Sequence, residues 1–177
     1  MDNYKEKFSE IYDQYIDKIY RFVYFKVSSE EIAEDITSKV FLRGWEAFQS
    51  HGLGEGREIL NTSAFLYQIA RNAITDHYRE KAKTKVVSAD IAPQIVAPGM
   101  GLEEKAILSS EFQEVKLAIQ NLKQDYQDII ICRYIDDMKI PEIATIMDKP
   151  EGTVRVMLHR GLKALKKEME GKNIQES

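Results

Sequence analysis

The spacing of apolar residues along the chain constrains its fold more than any other feature. Over most of the 177 residues they recur at steps of three and four, as they do on one face of an α-helix. Nowhere do they alternate with period two for long enough to indicate a sheet. The nine glycines and four prolines concentrate in two stretches. We therefore predict an all-α fold of long helices separated by few loops.

The periodicity predicts seven helices. Ser28, followed by Glu31, has the spacing of a capping box and is predicted to start the second helix. Thr62 or Ser63 can cap the third helix. The predicted ranges are about 3–27, 28–48, 62–83, 102–121, 125–136, 140–147 and 151–169.

A change in composition divides the chain near its middle. Residues 84–101 contain Pro93, Pro98, Gly99 and Gly101 among small residues, which is typical of an interdomain linker. We therefore predict two small helical domains joined by a flexible linker. Their predicted bounds are 1–84 for the first domain, 85–101 for the linker and 102–172 for the second domain.

Several classes of protein are disfavoured by composition. The longest apolar run is far shorter than the roughly 18 residues that a membrane span needs, and the polar N-terminus does not resemble a signal peptide. The lone Cys132 lies in an apolar run, so we expect a small buried residue and neither an intramolecular disulfide nor a multi-cysteine metal site. We expect a cytoplasmic protein with no bound metal or cofactor.

The net charge of −4 conceals two basic blocks. Residues 49–85 carry six basic and four acidic side chains, and residues 149–177 carry seven and four. Polyanion binding depends on the local field within about 10 Å, the Debye length near physiological salt. The overall acidity therefore does not exclude a nucleic-acid partner.

Residues 140–158 carry the strongest local signal. A short apolar helix is followed by a tight turn at Asp148, a residue type that tolerates the left-handed backbone, and then by a second helix. This arrangement predicts a helix-turn-helix, whose second helix enters the DNA major groove. The residues expected to face inward are Ile143, Ala144, Met147, Val154, Leu158, Leu162 and Leu165.

The second helix of this unit is strongly basic. From Thr153 to Lys167 it contains five basic residues and no acidic one. Arg155, His159 and Arg160 lie in its N-terminal half, where such helices meet base edges and phosphates. A solvated cationic helix end is the alternative for the charge run taken alone.

The third helix combines amides, aromatic rings and cations. Phe65, Gln68, Asn72, Asp76 and Arg79 share one face at spacings of three and four. Bases can stack on rings, amides can read base edges, and cations can hold phosphates, so this face suits single-stranded nucleic acid. The aromatic residues, taken alone, are more often part of a core.

Three segments in this order resemble the extracytoplasmic-function (ECF) family of bacterial sigma factors. Ala33-Glu34-Asp35 with Val40–Trp45 resembles the polymerase-binding segment, and Phe65–Asn72 resembles the −10 recognition helix. Glu142-Ile143-Ala144 through Gly152–Arg155, with Leu158-His159-Arg160, resembles the −35 recognition unit. Together these segments cover most of the chain.

The resemblance implies a factor that catalyses no reaction itself and recognises promoters on behalf of core RNA polymerase. Its implied partners are core polymerase, duplex −35 DNA and melted −10 DNA. The loop from His51 to Asn61 corresponds to one that captures a flipped −10 base. The implied polymerase-binding residues are Asp35, Ser38, Phe41, Leu42, Arg43 and Trp45; for Phe41 and Trp45, a place in the core is the alternative. Those for the −10 element are His51, Asn61, Phe65, Gln68, Arg71, Asn72, Asp76 and Arg79. Those for the −35 element are Thr153, Arg155, Val156, His159, Arg160 and Lys163.

The chain departs from the family pattern at four positions. Ser38 stands where glutamine is usual, and Lys139 replaces the usual capping serine. Val156 and Met157 replace a common Ser-Arg pair in the reading helix, which removes a cation and adds apolar surface. We expect the −35 preference to shift, in the direction of thymine methyl groups.

Three other functions compete with this interpretation. An enzyme is disfavoured because the three histidines form no metal-ligand pattern and because Asp76 and His77 point about 100° apart on a helix. A helix-turn-helix regulator of duplex DNA explains residues 140–167 but gives the first domain no role. A degenerate sigma-like protein would bind polymerase without opening promoters.

An anti-sigma partner and a monomeric free state are expected from the resemblance alone.

Overall fold

The computed structural model describes residues 2–50, 61–85 and 102–175, with side chains for residues 3–50, 61–84 and 110–171. Within these ranges the chain is helical and contains no β-strand, which confirms the predicted all-α class. A π-helical turn, Ile131–Ile135, follows the fifth helix directly. The helices are α1 (Asp2–Lys26), α2 (Glu30–Ser50), α3 (Thr62–Lys85), α4 (Leu102–Gln120), α5 (Gln124–Ile130), α6 (Ile140–Met147) and α7 (Glu151–Gln175).

The chain divides into two compact units. The first comprises Met1–Tyr24 and Ser28–Val96, and the second comprises Phe25–Val27 and Ala97–Ser177. The predicted linker, 85–101, lies outside the described residues apart from Lys85. Each helix in the described part of the chain is too short or too polar to cross a lipid bilayer.

The core of the first unit lies among α1, α2 and α3. Phe22 of α1 and Tyr67 of α3 are fully buried and meet edge to face, with ring centroids 5.2 Å apart. Burying a large apolar side chain stabilises the fold by roughly 1.5–3 kcal/mol, so this pair is a strong link between the two helices. The other buried apolar residues of these helices include Ile19, Val23, Ala33, Ile36, Val40, Phe41, Ala64, Leu66, Ala70, Ala73 and Ile74.

Close approach of helices in the first unit depends on Gly44. A methyl group added at Gly44 would lie 3.2 Å from Leu66 Cδ2 and 3.8 Å from Phe8 Cε2. Hydrogen therefore suits this position of α2 better than a larger side chain, because α1 and α3 both reach it. The neighbouring aromatic rings fill the space on the α1 side.

The caps of α2 and α3 differ from the predicted ones. Ser29, not Ser28, precedes α2, and its Oγ accepts a hydrogen bond from the Ile32 backbone N–H at 3.2 Å. Asn61 caps α3, since its Oδ1 accepts from the Ala64 N–H at 3.0 Å. Both residues occupy the position whose side chain can reach the orphan donors of the first turn.

The second unit also departs from prediction in its middle helix. The predicted helix over about 125–136 is α5 followed by the π-helical turn, in which the Asp136 N–H donates to the Ile131 carbonyl at 3.0 Å. Buried Gln127 donates through Nε2 to the carbonyls of Gln120 and Leu122, at 3.1 and 2.8 Å. These bonds satisfy acceptors that the end of α4 leaves open. As predicted, Cys132 is buried.

The helix-turn-helix forms as predicted. Helix α6 has the predicted bounds, and Ile143, Ala144 and Met147 are buried. Asp148 adopts the left-handed conformation, with φ of 52°, and the Lys149 N–H donates to the Ala144 carbonyl at 3.0 Å, which closes the helix end. On the following helix Val154 is buried, whereas Leu158, Leu162 and Leu165 are half-buried.

The start of α6 is fixed without the usual capping hydroxyl. The Lys139 backbone N–H donates to Glu142 Oε2 at 2.9 Å, so a side chain of the first turn takes one orphan donor. Pro141 lies in that first turn, where its missing N–H costs nothing. The replacement of serine by lysine at 139 therefore leaves the helix with half of a capping box.

Candidate nucleic-acid interface

The outer face of α3 presents an exposed polar row. Gln68, Asn72 and Arg79 are exposed, while Leu66, Ala70 and Ile74 lie buried on the opposite side of the helix. Successive residues of a helix turn by about 100°, so Gln68, Asn72 and Arg79 point in nearly the same direction. Exposed Thr75 lies in the same row and donates to the Arg71 carbonyl at 2.9 Å. The row offers amide groups and a guanidinium to a ligand along α3.

The remaining predicted −10 residues on α3 flank this row. Phe65 and Arg71 are half-buried on either side of it. Asp76 lies on the flank nearest α2 and forms an ion pair with Arg43, with 3.8 Å between Oδ2 and Nη1. Both side chains of this pair are about half exposed, so the attraction is screened by solvent and weak.

The predicted base-capturing loop is only partly described. Residues 51–60, including His51, lie outside the described residues. Asn61 is described and exposed, but its Oδ1 caps α3, as set out above. The side-chain oxygen of Asn61 therefore already accepts a hydrogen bond within the structure, which leaves the N–H donors of its amide for a ligand.

His77 and Tyr78, on the inner side of α3, titrate away from their usual ranges. Burial lowers the pKa of His77 from 6.5, with further lowering by Lys81 and Lys39 that Glu80 and Asp35 oppose. Burial likewise raises the pKa of Tyr78. The two rings contact each other with centroids 5.4 Å apart. His77 is therefore neutral over a wider pH range than a free histidine.

The predicted polymerase-binding residues of α2 lie in different environments. Asp35, Ser38 and Leu42 are exposed on the face opposite the core, and Leu42 is 58% exposed. Phe41 is buried against Tyr12 of α1, with ring centroids 4.9 Å apart, so it does not present its ring to solvent. Arg43 lies toward α3, where it meets Asp76.

Trp45 is half-buried and lines a shallow apolar depression on the surface between α1 and α2. The depression has a volume of about 260 Å³ and is lined by Lys5, Phe8, Ser9, Tyr12 and Trp45. Tyr12 is 42% exposed, although periodicity places it in the apolar stripe of α1. Sequence reasoning missed the contribution of α1 to this surface, because an exposed ring and a buried ring share the same spacing.

The predicted −35 residues of α7 are all exposed. They are Thr153, Arg155, Val156, His159, Arg160 and Lys163. Val156 lies about 160° around the helix from buried Val154, close to the middle of the outer face. Arg155 lies on the flank and forms an ion pair with Glu151, with 3.2 Å between Nη2 and Oε2. The side chains of Val156 and Arg155 therefore point in different directions, although the sequence motif assigns both residues to the −35 element.

The described residues contain no group of three or more histidine, cysteine, aspartate or glutamate side chains placed to hold an ion. The clustered polar groups are instead amides, hydroxyls and cations on the outer faces of helices. Such groups bind nucleic-acid bases and phosphates.

Comparison with known proteins identifies both halves of the chain. A family model of sigma-70 region 2 matches residues 11–84, and a model of sigma-70 region 4 matches residues 112–165. The first match contains the exposed rows of α2 and α3, and the second contains the helix-turn-helix.

Two relatives of the chain are sigma factors of the same family. The chain is 33% identical over 174 residues to the ECF RNA polymerase sigma factor SigW of Bacillus subtilis (strain 168), covering 93% of this chain and 90% of that protein. It is 28% identical to SigX of the same strain, covering 94% and 85%.

Among solved structures, the fold resembles that of the sigma factor RpoE in complex with the anti-sigma factor NepR from Bartonella quintana. The TM-score is 0.70 at 20% identity, with 93% of this chain and 98% of that chain covered. The family models, the relatives and the helix-turn-helix agree, and the chain is therefore a sigma factor of the extracytoplasmic-function family, which directs RNA polymerase to promoters.

Proposed function

We propose that three exposed helix faces of this sigma factor each bind a different partner. The α2 face, formed by Asp35, Ser38 and Leu42, binds core RNA polymerase. The α3 face, formed by Gln68, Asn72 and Arg79, contacts the melted −10 strand. The outer face of α7 binds duplex −35 DNA. The loop before α3, from His51 to Asn61, captures a flipped −10 base.

The exposed row on α3 is the observation that carries this proposal. Amides can read the edges of unpaired bases, and the guanidinium of Arg79 can hold phosphate. A regulator that only binds duplex DNA through α7 has no use for such a row. The row lies beside the half-buried Phe65 ring, on which a base can stack, so one helix offers stacking, reading and charge.

The α2 face suits a protein partner better than DNA. Leu42 exposes 58% of its surface between charged and polar neighbours, and Asp35 forms an ion pair with Lys39 at 3.0 Å. An exposed leucine can bury its side chain in an apolar site of a protein partner, with its polar neighbours at the rim of the contact. Ser38 is shorter than the glutamine usual in the family, so Leu42 takes a larger share of this contact.

The partners of the proposed function follow from these faces. They are core RNA polymerase and promoter DNA, both met in the cytoplasm, with the free factor a monomer. An anti-sigma factor is also proposed, because the Bartonella sigma factor with a similar fold was crystallised with one. Such an anti-sigma factor would regulate transcription by limiting how much of the sigma factor reaches polymerase.

Two single substitutions separate the proposed surfaces. Leu42→Ser should weaken binding to core polymerase by at least about tenfold, since a central apolar contact is lost. Asn72→Ala should leave that affinity unchanged while reducing discrimination at one −10 position by roughly 1–3 kcal/mol. Affinity is measured by titration with labelled core enzyme, and discrimination by open-complex formation on promoters with single −10 changes.

The control for this experiment lies on α3. Thr84→Ala changes an exposed residue at the far end of that helix, where its hydroxyl donates to the Glu80 carbonyl at 2.8 Å. It should behave like the wild type in both assays. Loss of core binding by Asn72→Ala would show that the α3 face is a polymerase contact, and the proposed division of surfaces would fail.

A further inference from the structure

Helix α7 carries an apolar side chain at the middle of its outer face. Val156 is 48% exposed, whereas Val154, two residues earlier, is fully buried. The difference follows from helix geometry, because residues two apart point about 160° away from each other. Among the described residues of α7, Val156 is the one large hydrophobic side chain that is exposed.

The neighbours of Val156 leave it accessible. Gly152 lies one turn earlier, and a methyl group added there would meet no atom within 4 Å. On the other side, His159 and Arg160 follow one turn later and Lys163 follows two turns later, all exposed. Val156 is therefore an exposed apolar side chain, with open space on its N-terminal side along α7 and basic side chains on its C-terminal side.

The chemistry of valine limits what this position can recognise. In the major groove each base pair presents hydrogen-bonding groups, and thymine alone adds an apolar 5-methyl group. Valine can neither donate nor accept a hydrogen bond. Against an amino or carbonyl edge it would leave that polar group without a partner, which disfavours binding, whereas against a methyl group it loses nothing.

We propose that Val156 reads the 5-methyl group of a thymine in the −35 element and so sets the specificity of this promoter contact. The proposal rests on the function proposed above, in which the outer face of α7 binds duplex −35 DNA. Lys163 and Arg160, on either side of Val156, hold the phosphates that border the same base pair.

Arg155 is a poorer candidate for this reading role. It lies about 100° from Val156, on the flank of α7, and its guanidinium is paired with Glu151 at 3.2 Å. An arginine that reads guanine needs its fork free and directed into the groove. The flank position suits a phosphate contact instead, so specificity centres on Val156.

Replacing single thymines by deoxyuracil tests the proposal, because uracil lacks the 5-methyl group and keeps every hydrogen-bonding group. Core polymerase with the full-length chain is assayed for open-complex formation on a promoter selected from a randomised library. At one −35 position, uracil should lower the apparent affinity by about fourfold, the factor that corresponds to burying one methyl group.

The Val156→Ala variant links that effect to the side chain. With this variant, the fourfold preference for thymine over uracil should become smaller, because the shorter alanine side chain makes less contact with the 5-methyl group. Arg155→Ala should bind more weakly to both promoters while keeping the fourfold ratio. Thermal unfolding of Val156→Ala should match the wild type, because the side chain is exposed and alanine favours helices.

The outcomes distinguish this proposal from the function on which it rests. Promoter-specific transcription without a uracil-sensitive −35 position overturns the role of Val156 alone. Uracil sensitivity that is as large in Val156→Ala as in the wild type, or a selected −35 element without thymine, also overturns it. Absence of any promoter-specific transcription overturns the proposed function, and this inference with it.

Discussion

Arg155 and Val156 are adjacent in the chain but differ in what they can contact. The guanidinium of Arg155 lies on the flank of α7 within 3.2 Å of Glu151, and the Val156 side chain lies near the middle of the outer face. A flank cation attracts the DNA backbone, and a central side chain meets base edges. The roles of the two residues therefore depend on the direction of each side chain as well as on its chemistry.

Substitution of Arg155 tests its assignment to phosphate. Arg155→Ala should weaken holoenzyme binding to a similar extent on promoters with different −35 sequences, and it should reduce the salt dependence of log K by about one. Affinity is measured on a panel of −35 variants at several salt concentrations. Glu151→Gln, which frees the guanidinium, should bind as tightly as the wild type or more tightly. A loss confined to one base pair would show that Arg155 reads a base.

His77 should make the stability of the first unit depend on pH. Burial and two lysines lower the pKa of His77 from 6.5 in the folded state, so the unfolded chain takes up this proton first as the pH falls. Stability is therefore lost as the pH falls through and below 6.5. Between pH about 7.5 and about 5.5, urea unfolding should show a smaller loss of stability for His77→Gln than for the wild type. An equal loss would contradict the role of His77.

At the scale of whole helices, two glycines occupy contrasting environments. Gly152, in the first turn of α7, has open space where a Cβ would stand, whereas a Cβ at Gly44 of α2 would lie 3.2 Å from Leu66 Cδ2. Alanine at an open helical position removes the backbone-entropy cost of glycine. The same change at a crowded position forces a buried neighbour to move.

The two alanine substitutions should therefore differ in stability. Gly152→Ala should raise the free energy of unfolding by about 0.5–1 kcal/mol, and Gly44→Ala should gain less or lose stability. Equilibrium urea unfolding of both variants measures this difference. If the gains were equal, the close approach at Gly44 would not matter. Gly152→Ala should also weaken −35 binding, because its methyl group would enter the space beside Val156.

Most helices could be predicted because their apolar periodicity is long and unambiguous. Helix α6 was predicted to the residue, since Pro141 marks its first turn and Asp148 its end. The caps were not, because Ser28 and Ser29, like Asn61 and its neighbours, carry equally suitable side chains. Only hydrogen-bond geometry decides between them. The π-helical turn also escaped prediction, because its backbone bonds have no distinct residue pattern.

The sequence predicts which residues form the candidate site better than it predicts where their side chains point. Exposed Gln68, Asn72 and Arg79 follow from the helical period, and so does the contrast between buried Val154 and exposed Val156. The i,i+4 spacing of Glu151 and Arg155 is likewise that of neighbours on one helix. The ion pair of Arg43 with Asp76 does not follow from the period, since it joins two helices and depends on how they pack. The placement of both ion pairs in the structure shows which predicted residues are central and which are flanking.

At the scale of the whole molecule, the proposed function requires both units of the chain. The first unit supplies the α2 and α3 faces, and the second supplies the helix-turn-helix. A duplex-binding regulator would use the second unit alone. A degenerate sigma-like protein would use the α2 face and leave the −10 and −35 faces idle. Transcription from a promoter with both elements is the one activity that needs all three faces.

Run-off transcription on a randomised promoter library, with core RNA polymerase and the full-length chain, tests this requirement most directly. We predict specific transcripts whose templates share a −35 and a −10 element at a fixed spacing. Binding to core polymerase without such transcripts would contradict the assignment of the DNA-binding faces. A chain that neither binds core polymerase nor starts transcripts would contradict the account as a whole.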